Sequence, residues 1–341
     1  MGLYLDGRKI NSYYGGGYRI FMFIGARGRG KTYLVKKQLF RDYFKKGSKF
    51  IWIRTTDTMC DELKKDGGYP LIADLIANRE FDFDFEISIS EDGTIYLNRD
   101  VESENKNWEC CGYLMALSTF YKLKGNSFAD IQNVGIDEWI AEKGEVIRGD
   151  RTWQFINTIQ TIGRLRNDYK IFMMSNALDL GDPILNLFFT NVKDYGYYIN
   201  KEKRAVLWYI EDSDAFNEAT AKSTCGKIMQ GTMYEDNILH NKFTSFDNLY
   251  FDKKPTGLVF LCTLEELPYR INVYFGGNTL YVTNDTHNKT RKIFSKNMQS
   301  ISNESRLIPK NWLDMFRNRY SVGKVLFENE IVRKTFVSFI K

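Results

Sequence analysis

The sequence contains the stretch Gly25-Ala26-Arg27-Gly28-Arg29-Gly30-Lys31-Thr32, which fits the phosphate-binding pattern G-x-x-x-x-G-K-[ST] without a mismatch. Its glycines permit a tight loop whose backbone N–H groups point inward at phosphate oxygens. In such a loop the lysine reaches the β- and γ-phosphates, and the threonine hydroxyl ligates Mg²⁺. We therefore predict that all eight residues cradle a nucleoside triphosphate, with Lys31 on its phosphates and Thr32 on the metal.

The residues on either side of this loop have the order that a phosphate-binding loop requires. Residues 19–24 form a mostly apolar run of strand length, and residues 33–40 carry apolar side chains at helical spacing. The N-terminus of that helix would add the positive end of its dipole to the site. The alternative is that residues 25–32 form an ordinary glycine turn, which would not explain the strand-like run before them and the helix-like run after them.

The composition is that of a chain that can bury a sizeable core. Hydrophobic residues make up 43% of 341 residues, enough for one large domain or two ordinary ones. No apolar run approaches the ~20 residues of a membrane span, and no signal segment begins the chain, so we expect no membrane partner. Five cysteines without C-x-x-C spacing favour reduced thiols and a cytosolic compartment. Only two histidines, His240 and His287, argue against a histidine-based metal site.

Charge is distributed unevenly along the chain. Residues 241–341 carry 16 lysines and arginines against 9 aspartates and glutamates, a net charge of +7, whereas the rest has a net charge of −2. A basic C-terminal part suggests an acidic partner, and nucleic acid is the commonest one. A solvated basic surface is the alternative, and charge alone does not decide between the two.

The N-terminal part alternates strand-like and helix-like segments, which is typical of an α/β fold. Residues 49–54 predict a second core strand. Residues 81–89 alternate apolar and polar side chains, and after a turn residues 94–97 predict the returning strand of a hairpin with one solvated face. We interpret this hairpin as an insertion that takes no part in the nucleotide site.

A second landmark is the strand-like run 131–136, which ends in Asp137-Glu138. The first carboxylate at such a position can hold the Mg²⁺ shell, and the second can orient and polarise the attacking water. Polar residues and Gly135 interrupt the apolar pattern, and Asp-Glu pairs also end ordinary strands. The position downstream of the glycine loop favours the metal role for Asp137 and the catalytic role for Glu138.

Further candidates lie around the strand predicted at residues 170–174. Asn176, in the Ser-Asn-Ala that ends this strand, can contact the γ-phosphate or its water, and a turn residue that caps the strand is the alternative. Arg164 and Arg166 precede the strand. In a ring, an arginine here would face the neighbour's phosphates and act as an arginine finger. The alternative is a basic helix end that complements the helix dipole.

Taken together, these elements resemble those of the DNA-packaging ATPases of phi29-type bacteriophages. The resemblance rests on Gly-Ala-Arg-Gly-x-Gly-Lys-[Ser/Thr], the Asp-Glu strand end, Arg-x-Arg before a strand and the Ser-Asn-Ala that closes it. It covers residues 1–200 well and the remainder in outline. It implies an α/β P-loop NTPase domain with the additional-strand catalytic-glutamate arrangement, plus a smaller C-terminal α+β RNase-H-like domain.

The resemblance also implies a function, which is an ATP-hydrolysing ring motor that translocates double-stranded viral DNA into a preformed capsid. Its cofactors would be ATP and Mg²⁺, and its partners the DNA, the capsid portal and further copies in a homo-oligomeric ring, a pentamer in the family. A structural packaging RNA is left open as a partner. The expected location is the host cell cytoplasm, with a transient stay at the portal vertex of the procapsid.

By the same similarity the candidate residues take family roles. Lys124 resembles a basic residue that acts across the subunit interface, although a solvated loop lysine would look the same. The remaining assignments are Lys31 and Thr32 on phosphate and Mg²⁺, Asp137 on the metal, Glu138 as the catalytic residue and Arg164 as the arginine finger.

Residues 201–242 are interpreted as a connector between the two domains. They comprise a charged turn, a strand at 205–210 and a polar stretch rich in serine, threonine and alanine. The expected division of the chain is therefore 1–200, 201–242 and 243–341.

The C-terminal domain is predicted to contain an antiparallel meander followed by a largely helical ending from residue 308. An active nuclease of the RNase-H-like class needs clustered carboxylates that hold two metals about 4 Å apart. Asp285, Glu304 and Asp314 are scattered acids that we expect to be solvated. The domain is therefore expected to bind nucleic acid without cutting it. The predicted strands are 257–262, 269–275 and 279–283.

Two alternative functions share the same glycine loop. One is another P-loop nucleic-acid motor, such as a helicase or a phage-assembly ATPase that packages no DNA. The other is a nucleotide-gated binding protein that hydrolyses ATP slowly and only switches conformation. Stimulation of turnover by DNA would separate a motor from a switch.

Overall fold

The chain forms two compact units, each with its own sheet. The first comprises Met1–Asp179 and Val192–Phe243, and the second Leu180–Asn191 and Thr244–Lys341. No helix within the described residues is both long enough and apolar enough to cross a membrane. The structure, a computed structural model, describes residues 4–123, 127–140, 151–176, 182–189, 192, 195–229, 250–251, 253–266, 269–285, 292–296, 304–321 and 323–340.

A nine-stranded sheet runs through the described part of the first unit. Its strands are β1 (Ile20–Ile24), β2 (Lys49–Arg54), β3 (Glu86–Ile89), β4 (Thr94–Asn98), β5 (Glu109–Ala116), β6 (Ile131–Asp137), β7 (Lys170–Ser175), β8 (Gly196–Asn200) and β9 (Ala205–Tyr209). They lie in the order β3-β4-β5-β2-β6-β7-β1-β9-β8. The six central strands of this order, from β5 through β2, β6, β7 and β1 to β9, are parallel to one another. The strands at the two edges of this group, β4 and β8, pair with it in antiparallel fashion. The carboxyl ends of β1, β6 and β7 therefore meet at one edge, where α/β sheets bind ligands.

Helices connect these strands. α2 follows the glycine loop directly and ends at Gly47, whose left-handed φ of +65° terminates it. The helices up to residue 229 are α1 (Arg8–Gly15), α2 (Lys31–Lys46), α3 (Asp57–Lys64), α4 (Tyr69–Ala77), α5 (Arg151–Gly163), α6 (Pro183–Asn186), α7 (Asp214–Lys222) and α8 (Thr224–Met229). α6 lies in the segment that belongs to the second unit.

The core of the first unit is built from the central strands and the helices beside them. Phe21 and Phe23 of β1 and Phe50 and Trp52 of β2 are at most 1% exposed. Strands buried on both faces read as continuous apolar runs, which is why residues 19–24 were legible as a core strand. The predicted α/β fold is confirmed, and the structure shows that its sheet is largely parallel.

The predicted hairpin forms, but its first strand is shorter than expected. β3 begins at Glu86, and Phe81, Phe83 and Phe85 precede it outside the strand. Their rings surround Phe44 of α2, with centroids 4.9, 4.8 and 5.1 Å from its ring. Alternating aromatic residues imitate a strand pattern, but here their rings pack around a helix side chain instead.

The residues predicted as a connector contribute a strand to the first sheet. β9 pairs in parallel with β1, from Ala205 opposite Ile20 to Tyr209 opposite Ile24. α7 and α8 follow within the same unit, which ends at Phe243. The described residues of the expected connector, 201–229, therefore lie in the first unit, and pairing between strands far apart in the chain leaves no mark on local composition.

The second unit contains a separate six-stranded sheet within the residues that are described. Its strands are β10 (Val259–Glu266), β11 (Tyr269–Gly276), β12 (Thr279–Thr283), β13 (Ile293–Ser295), β14 (Ser305–Leu307) and β15 (Val325–Phe327), and its helices α9 (Lys310–Ser321) and α10 (Glu330–Ile340). The order is β14-β13-β10-β11-β12-β15. β10, β11 and β12 are antiparallel, and the other strands add in parallel. The predicted meander and helical ending are therefore confirmed.

The acids of the second unit differ in their surroundings. The side chains of Glu304 and Asp314 are exposed, as expected. Asp285 keeps 37% of its side chain exposed, but its carboxylate is also held by hydrogen bonds that it accepts from Lys254 at 2.6 Å and Asn272 at 3.0 Å. Burial acts to raise the pKa of Asp285, but its hydrogen bonds, led by that from Lys254, outweigh burial and lower the pKa to about 2. This carboxylate is an ion-paired structural group.

Gly135 interrupts the apolar pattern of β6 for a packing reason. A Cβ at this position would lie 2.7 Å from Cε3 of Trp52 and 3.1 Å from Cδ1 of Leu39. Both neighbours are at most 1% exposed and have no room to move. The glycine that interrupts the apolar pattern of the strand therefore leaves room for the side chains of Trp52 on β2 and Leu39 on α2.

The substitution Gly135→Ala should lower the free energy of unfolding by about 1–3 kcal/mol, because it overpacks this contact. Urea denaturation followed by tryptophan fluorescence measures the change. Gly15→Ala is the matched control, because a Cβ there meets nothing within 4 Å. Equal unfolding midpoints for the two variants would contradict the packing role of Gly135.

Candidate nucleotide-binding site

The glycine loop joins β1 to α2 and adopts the backbone conformation that its glycines were predicted to permit. Gly28 and Gly30 have φ of +78° and +87°, where an L side chain is strained. Gly30 also precedes the first residue of α2. The N-terminal turn of α2, with its N–H groups and the positive end of its dipole, therefore lies at the loop.

Lys31 is buried within this loop. Its Nζ donates hydrogen bonds to the carbonyl oxygens of Gly25 and Ala26, both at 2.7 Å, and to Oδ1 of Asn176 at 3.3 Å. Burial lowers the pKa of Lys31 to about 8, although the nearby Asp137 acts to raise it. The ammonium group is thus held by neutral oxygens, and an anionic oxygen would form the stronger charge-assisted bond.

Thr32 and Asp137 face each other across the loop. The hydroxyl of Thr32 lies 3.1 Å from Oδ1 of Asp137, the last residue of β6. Asp137 is buried, whereas Thr32 is half-buried. A hydroxyl and a carboxylate oxygen are hard oxygen ligands of the kind that Mg²⁺ prefers. The donor set therefore fits the predicted metal.

Glu138 turns the chain sharply at the end of β6. Its φ is +56°, a left-handed conformation that costs a non-glycine residue roughly 1–2 kcal/mol. The turn is held by hydrogen bonds from its N–H to the Met174 carbonyl at 2.9 Å and from the Thr55 hydroxyl to its own carbonyl at 3.0 Å. Trp139, which follows, is 1% exposed and anchors the turn. Strain of this kind concentrates at functional sites.

These residues line one cleft of about 370 Å³. A volume in this range is typical of small-molecule sites. The structure brings together residues from the loop, from the Asp-Glu pair and from the end of β7. Of the predicted site residues, those lining the cleft are Arg27, Gly28, Gly30, Lys31, Thr32, Asp137, Glu138 and Asn176.

Arg29 contacts a different part of the chain from the one predicted. Its side chain is buried, its Nε lies 3.7 Å from Asp212, and its guanidinium stacks 4.9 Å from the centre of the Phe216 ring. Nη1 also donates to the Ser213 hydroxyl at 3.3 Å. Burial lowers the pKa of Arg29, against the opposing influence of Asp212. This arginine connects the loop to the segment after β9 and does not line the cleft.

The two arginines before β7 have different environments. Arg166 donates to the carbonyl oxygens of Phe128 and Ile131 at 2.8 and 2.6 Å and pairs with Asp168 at 2.9 Å. Arg164 is exposed, and its φ of +45° places it in the left-handed position after α5, which glycine usually fills. Arg166 therefore has a structural role. The helix end does not explain why position 164 is an arginine, because glycine fits its backbone conformation better.

Lys124, the candidate that acts across a subunit interface, lies outside the described residues. Arg54, by contrast, belongs to the site but was predicted only as the end of a core strand. Its Nη1 lies 2.5 Å from Oδ2 of Asp137 and its Nη2 2.8 Å from Oε2 of Glu138. The feature of the sequence that could have identified Arg54 as a site residue is its position as a cation at the carboxyl end of a buried strand.

The fold and the motif define an α/β protein built around a P-loop. The sequence profile of the family described as Podovirus DNA encapsidation protein (Gp16) matches residues 2–339. The chain belongs to this family of phage DNA-packaging proteins, which confirms the resemblance predicted from its motifs.

Relatives and solved structures agree with this assignment. The DNA packaging protein of Bacillus phage B103 is 25% identical over 325 residues, covering 92% of this chain and 94% of the relative. That of Bacillus phage phi29 is 24% identical over 340 residues, covering 97% and 95%. A chain of the bacteriophage Phi-29 viral genome packaging motor assembly superposes with a TM-score of 0.71 at 19% identity, covering 100% of both chains. A chain of the Phi-28 gp11 DNA packaging motor superposes with a TM-score of 0.63 at 18% identity, covering 99% of this chain and 97% of that chain. At these identities the structural likeness shows a shared fold.

The structural difference between the two arginines predicts opposite effects on stability. Arg166→Ala should lower the free energy of unfolding by about 1–3 kcal/mol, because it leaves buried carbonyl oxygens without their charged donor. Arg164→Gly should not lower it, because glycine is the usual residue in a left-handed helix end. Thermal denaturation of both variants measures the loss of stability. A larger loss for Arg164→Gly than for Arg166→Ala would contradict the structural role assigned to Arg166.

Proposed function

We propose that this protein is an ATPase that works in a homo-oligomeric ring and couples ATP hydrolysis to the translocation of double-stranded DNA into a preformed capsid. The observation that carries the proposal is the convergence of Lys31, Thr32, Asp137, Glu138 and Asn176 on one cleft. Membership of the DNA encapsidation family, and the motor assemblies named for structural relatives, support the DNA-translocating part.

The strand order supports the additional-strand catalytic-glutamate arrangement. β7 lies between β1, which leads into the glycine loop, and β6, which ends in the acidic pair. Asn176 at the end of β7 is thereby placed between Lys31 and Glu138. In this arrangement the amide contacts the γ-phosphate or the attacking water, and Glu138 polarises that water from the other side.

The chemistry requires positioning and electrostatics more than covalent help. Lys31 exchanges its loop carbonyls for the β- and γ-phosphate oxygens of ATP, which are stronger acceptors. Thr32 and Asp137 would hold Mg²⁺, which neutralises phosphate charge when bound. Glu138 accepts the proton of the attacking water. Arg164, exposed at the end of α5, reaches the phosphates bound to a neighbouring subunit, with Lys124 as a second candidate in that role.

For the second unit we propose an RNase-H-like, nuclease-derived domain that binds nucleic acid without cutting it. The antiparallel meander extended at β10 by parallel β13 and β14 supports the fold. Asp285 is paired with Lys254, and no group of three or more acids, histidines or cysteines suited to a metal occurs among the residues described. The net positive charge of residues 241–341 favours contact with DNA phosphates rather than bases, because a motor must tolerate any sequence.

The partners and the location follow from this role. The ring, a pentamer in our proposal, contacts the DNA and the capsid portal, with a structural packaging RNA as an optional third partner. The motor works in the host cytoplasm at the portal vertex of the procapsid.

The nucleotide site is tested first by Lys31→Ala and Glu138→Gln. Lys31→Ala should lower kcat/KM for ATP at least about 100-fold, because a preorganised charge on the phosphates is lost. Glu138→Gln should keep ATP affinity and lower kcat by about 10²–10⁴, because an amide cannot accept the proton of water. Steady-state ATPase assays with and without DNA, and titration of a fluorescent ATP analogue, measure both. Near-normal ATP turnover by Lys31→Ala would contradict the proposal that this cleft is the nucleotide-binding site.

The ring is tested by mixing subunits. Arg164→Ala should bind ATP almost normally but lose roughly 10³–10⁵ in hydrolysis, the range for an arginine supplied by a neighbour. Rings that mix Arg164→Ala with Glu138→Gln should regain part of the activity, because an Arg164→Ala subunit keeps its own Glu138 and borrows an arginine. Absence of recovery in confirmed mixed rings would show that Arg164 does not act on a neighbouring subunit.

A further inference from the structure

Arg29 connects the glycine loop to the segment 210–216, which follows β9. It lies between the two glycines of the loop that have positive φ. Its Nε lies 3.7 Å from Oδ1 of Asp212. Its Nη1 and Nη2 donate to the Ser213 hydroxyl at 3.3 Å and to the Glu211 carbonyl at 3.4 Å. One side chain therefore joins the loop to residues that are up to 184 positions away in the sequence.

This contact is both buried and charged. Arg29 and Asp212 keep only 3% and 8% of their side-chain surface exposed. Phe216 of α7 packs on the guanidinium, whose carbon lies 4.9 Å from the centre of the ring. Water screens a buried pair less than a surface pair, and the loss of one partner leaves a buried charge uncompensated. Arginine suits this position because its planar group can pair with a carboxylate and stack on a ring at the same time.

Other parts of the loop pack against the same segment. The N–H of Ile210 donates to the carbonyl of Ile24, the last residue of β1, at 2.7 Å. A Cβ at Gly25 would lie 2.8 Å from Cβ of Ile210, and one at Gly28 would lie 3.8 Å from the Phe216 ring. The start and the middle of the loop are therefore both in contact with the segment that Arg29 holds.

The side chain of Arg29 acts on the loop from outside the cleft. The residues on either side of it, Gly28 and Gly30, line the cleft together with Lys31, but Arg29 does not. A ligand in the cleft therefore meets the backbone of the loop and not this guanidinium. Glycine loses more conformational freedom on ordering than other residues, so a glycine-rich loop is costly to order. A contact that orders the loop in advance lowers the cost of binding.

We propose that Arg29 is a positioning residue for the phosphates of the nucleotide, acting through the backbone of the glycine loop. This inference rests on the proposed nucleotide site. The contacts of Arg29 with Asp212, Ser213 and Phe216 hold the loop in its binding conformation before ATP arrives. The pattern G-x-x-x-x-G-K-[ST] accepts any residue at position 29, so the motif itself does not explain this arginine.

Nucleotide affinity separates this role from a purely structural one. Without the contacts of Arg29 the loop is competent to bind for only part of the time, and the apparent affinity falls by that fraction. Bound phosphates then order the loop themselves, so turnover at saturating ATP is retained. A structural ion pair would instead change the stability of the fold and leave the nucleotide affinity of the folded protein unchanged.

The experiment removes Arg29 with and without its buried counter-charge. Arg29→Met takes the arginine away from the buried Asp212 carboxylate, which should lower the thermal midpoint. The double variant Arg29→Met/Asp212→Asn carries no charge at either position, so it should recover part of that loss while the contacts of Arg29 stay absent. Arg19→Met is the matched control, because Arg19 precedes the other end of β1 and donates to the Asn167 carbonyl at 2.8 Å.

Three quantities are measured for each full-length variant. They are the thermal midpoint, the dissociation constant of a fluorescent ATP analogue in the presence of Mg²⁺, and kcat at saturating ATP. We expect the double variant to bind the analogue about 10-fold more weakly, as for a loop that is competent about a tenth of the time, with kcat close to that of wild type. Arg19→Met should bind the analogue as wild type does.

Wild-type affinity in the folded double variant would overturn the proposal, because it would show that Arg29 only compensates the charge of Asp212. A fall of kcat in parallel with affinity would overturn it too. If the double variant does not fold, Arg29→Lys, which keeps the charge but not the planar group, decides by the same criteria. Failure of the wild-type protein to bind the analogue would instead reject the proposed nucleotide site itself.

Discussion

The parallel pairing of β6, β7 and β1 is the constraint on which the candidate site depends. Ile24 lies opposite Ser175, and Met174 lies opposite Asp137. The chain therefore leaves all three strands at nearly the same level, which brings the glycine loop, Asn176 and Glu138 to one edge. Each hydrogen-bonded pair in the ladder fixes this level, and a slip of one residue would turn Asp137 to the other face of the sheet.

This constraint explains which parts of the site were legible in the sequence. The glycine loop and the Asp-Glu pair are local patterns, because the geometry they need is set within a few residues. The partnership of Arg54 with that pair is different, since it depends on β2 being the neighbour of β6 and on the register between them. Neither the strand order nor the register is encoded in spacing along the chain. For the same reason the pairing of β9 with β1 was not foreseen, and a core strand was assigned to a connector.

Adjacent residues in a motif can also have unrelated roles, and only contacts separate them. Arg164 and Arg166 are both basic and both precede β7, and only the family resemblance, not their local sequence, distinguished Arg164 as the candidate arginine finger. The carbonyl oxygens of Phe128 and Ile131 occupy the guanidinium of Arg166, whereas Arg164 is exposed in a backbone conformation that favours glycine. A group whose donors already hold buried carbonyls would have to break those bonds to act elsewhere. Breaking them would cost about 1–3 kcal/mol for each buried carbonyl, which disfavours any other role for Arg166.

The same reasoning distinguishes Arg54 from Lys31, the lysine of the glycine loop. Arg54 contacts two carboxylates, so its charge is already compensated and a phosphate would gain little from it. Lys31 is held by carbonyl and amide oxygens, and burial lowers its pKa to about 8, so its charged form is the less well stabilised of the two. An anionic ligand would therefore gain more electrostatic stabilisation from Lys31 than from Arg54, and it would raise the pKa of Lys31 by favouring the charged form. The two cations therefore differ in how far each charge is already compensated within the protein.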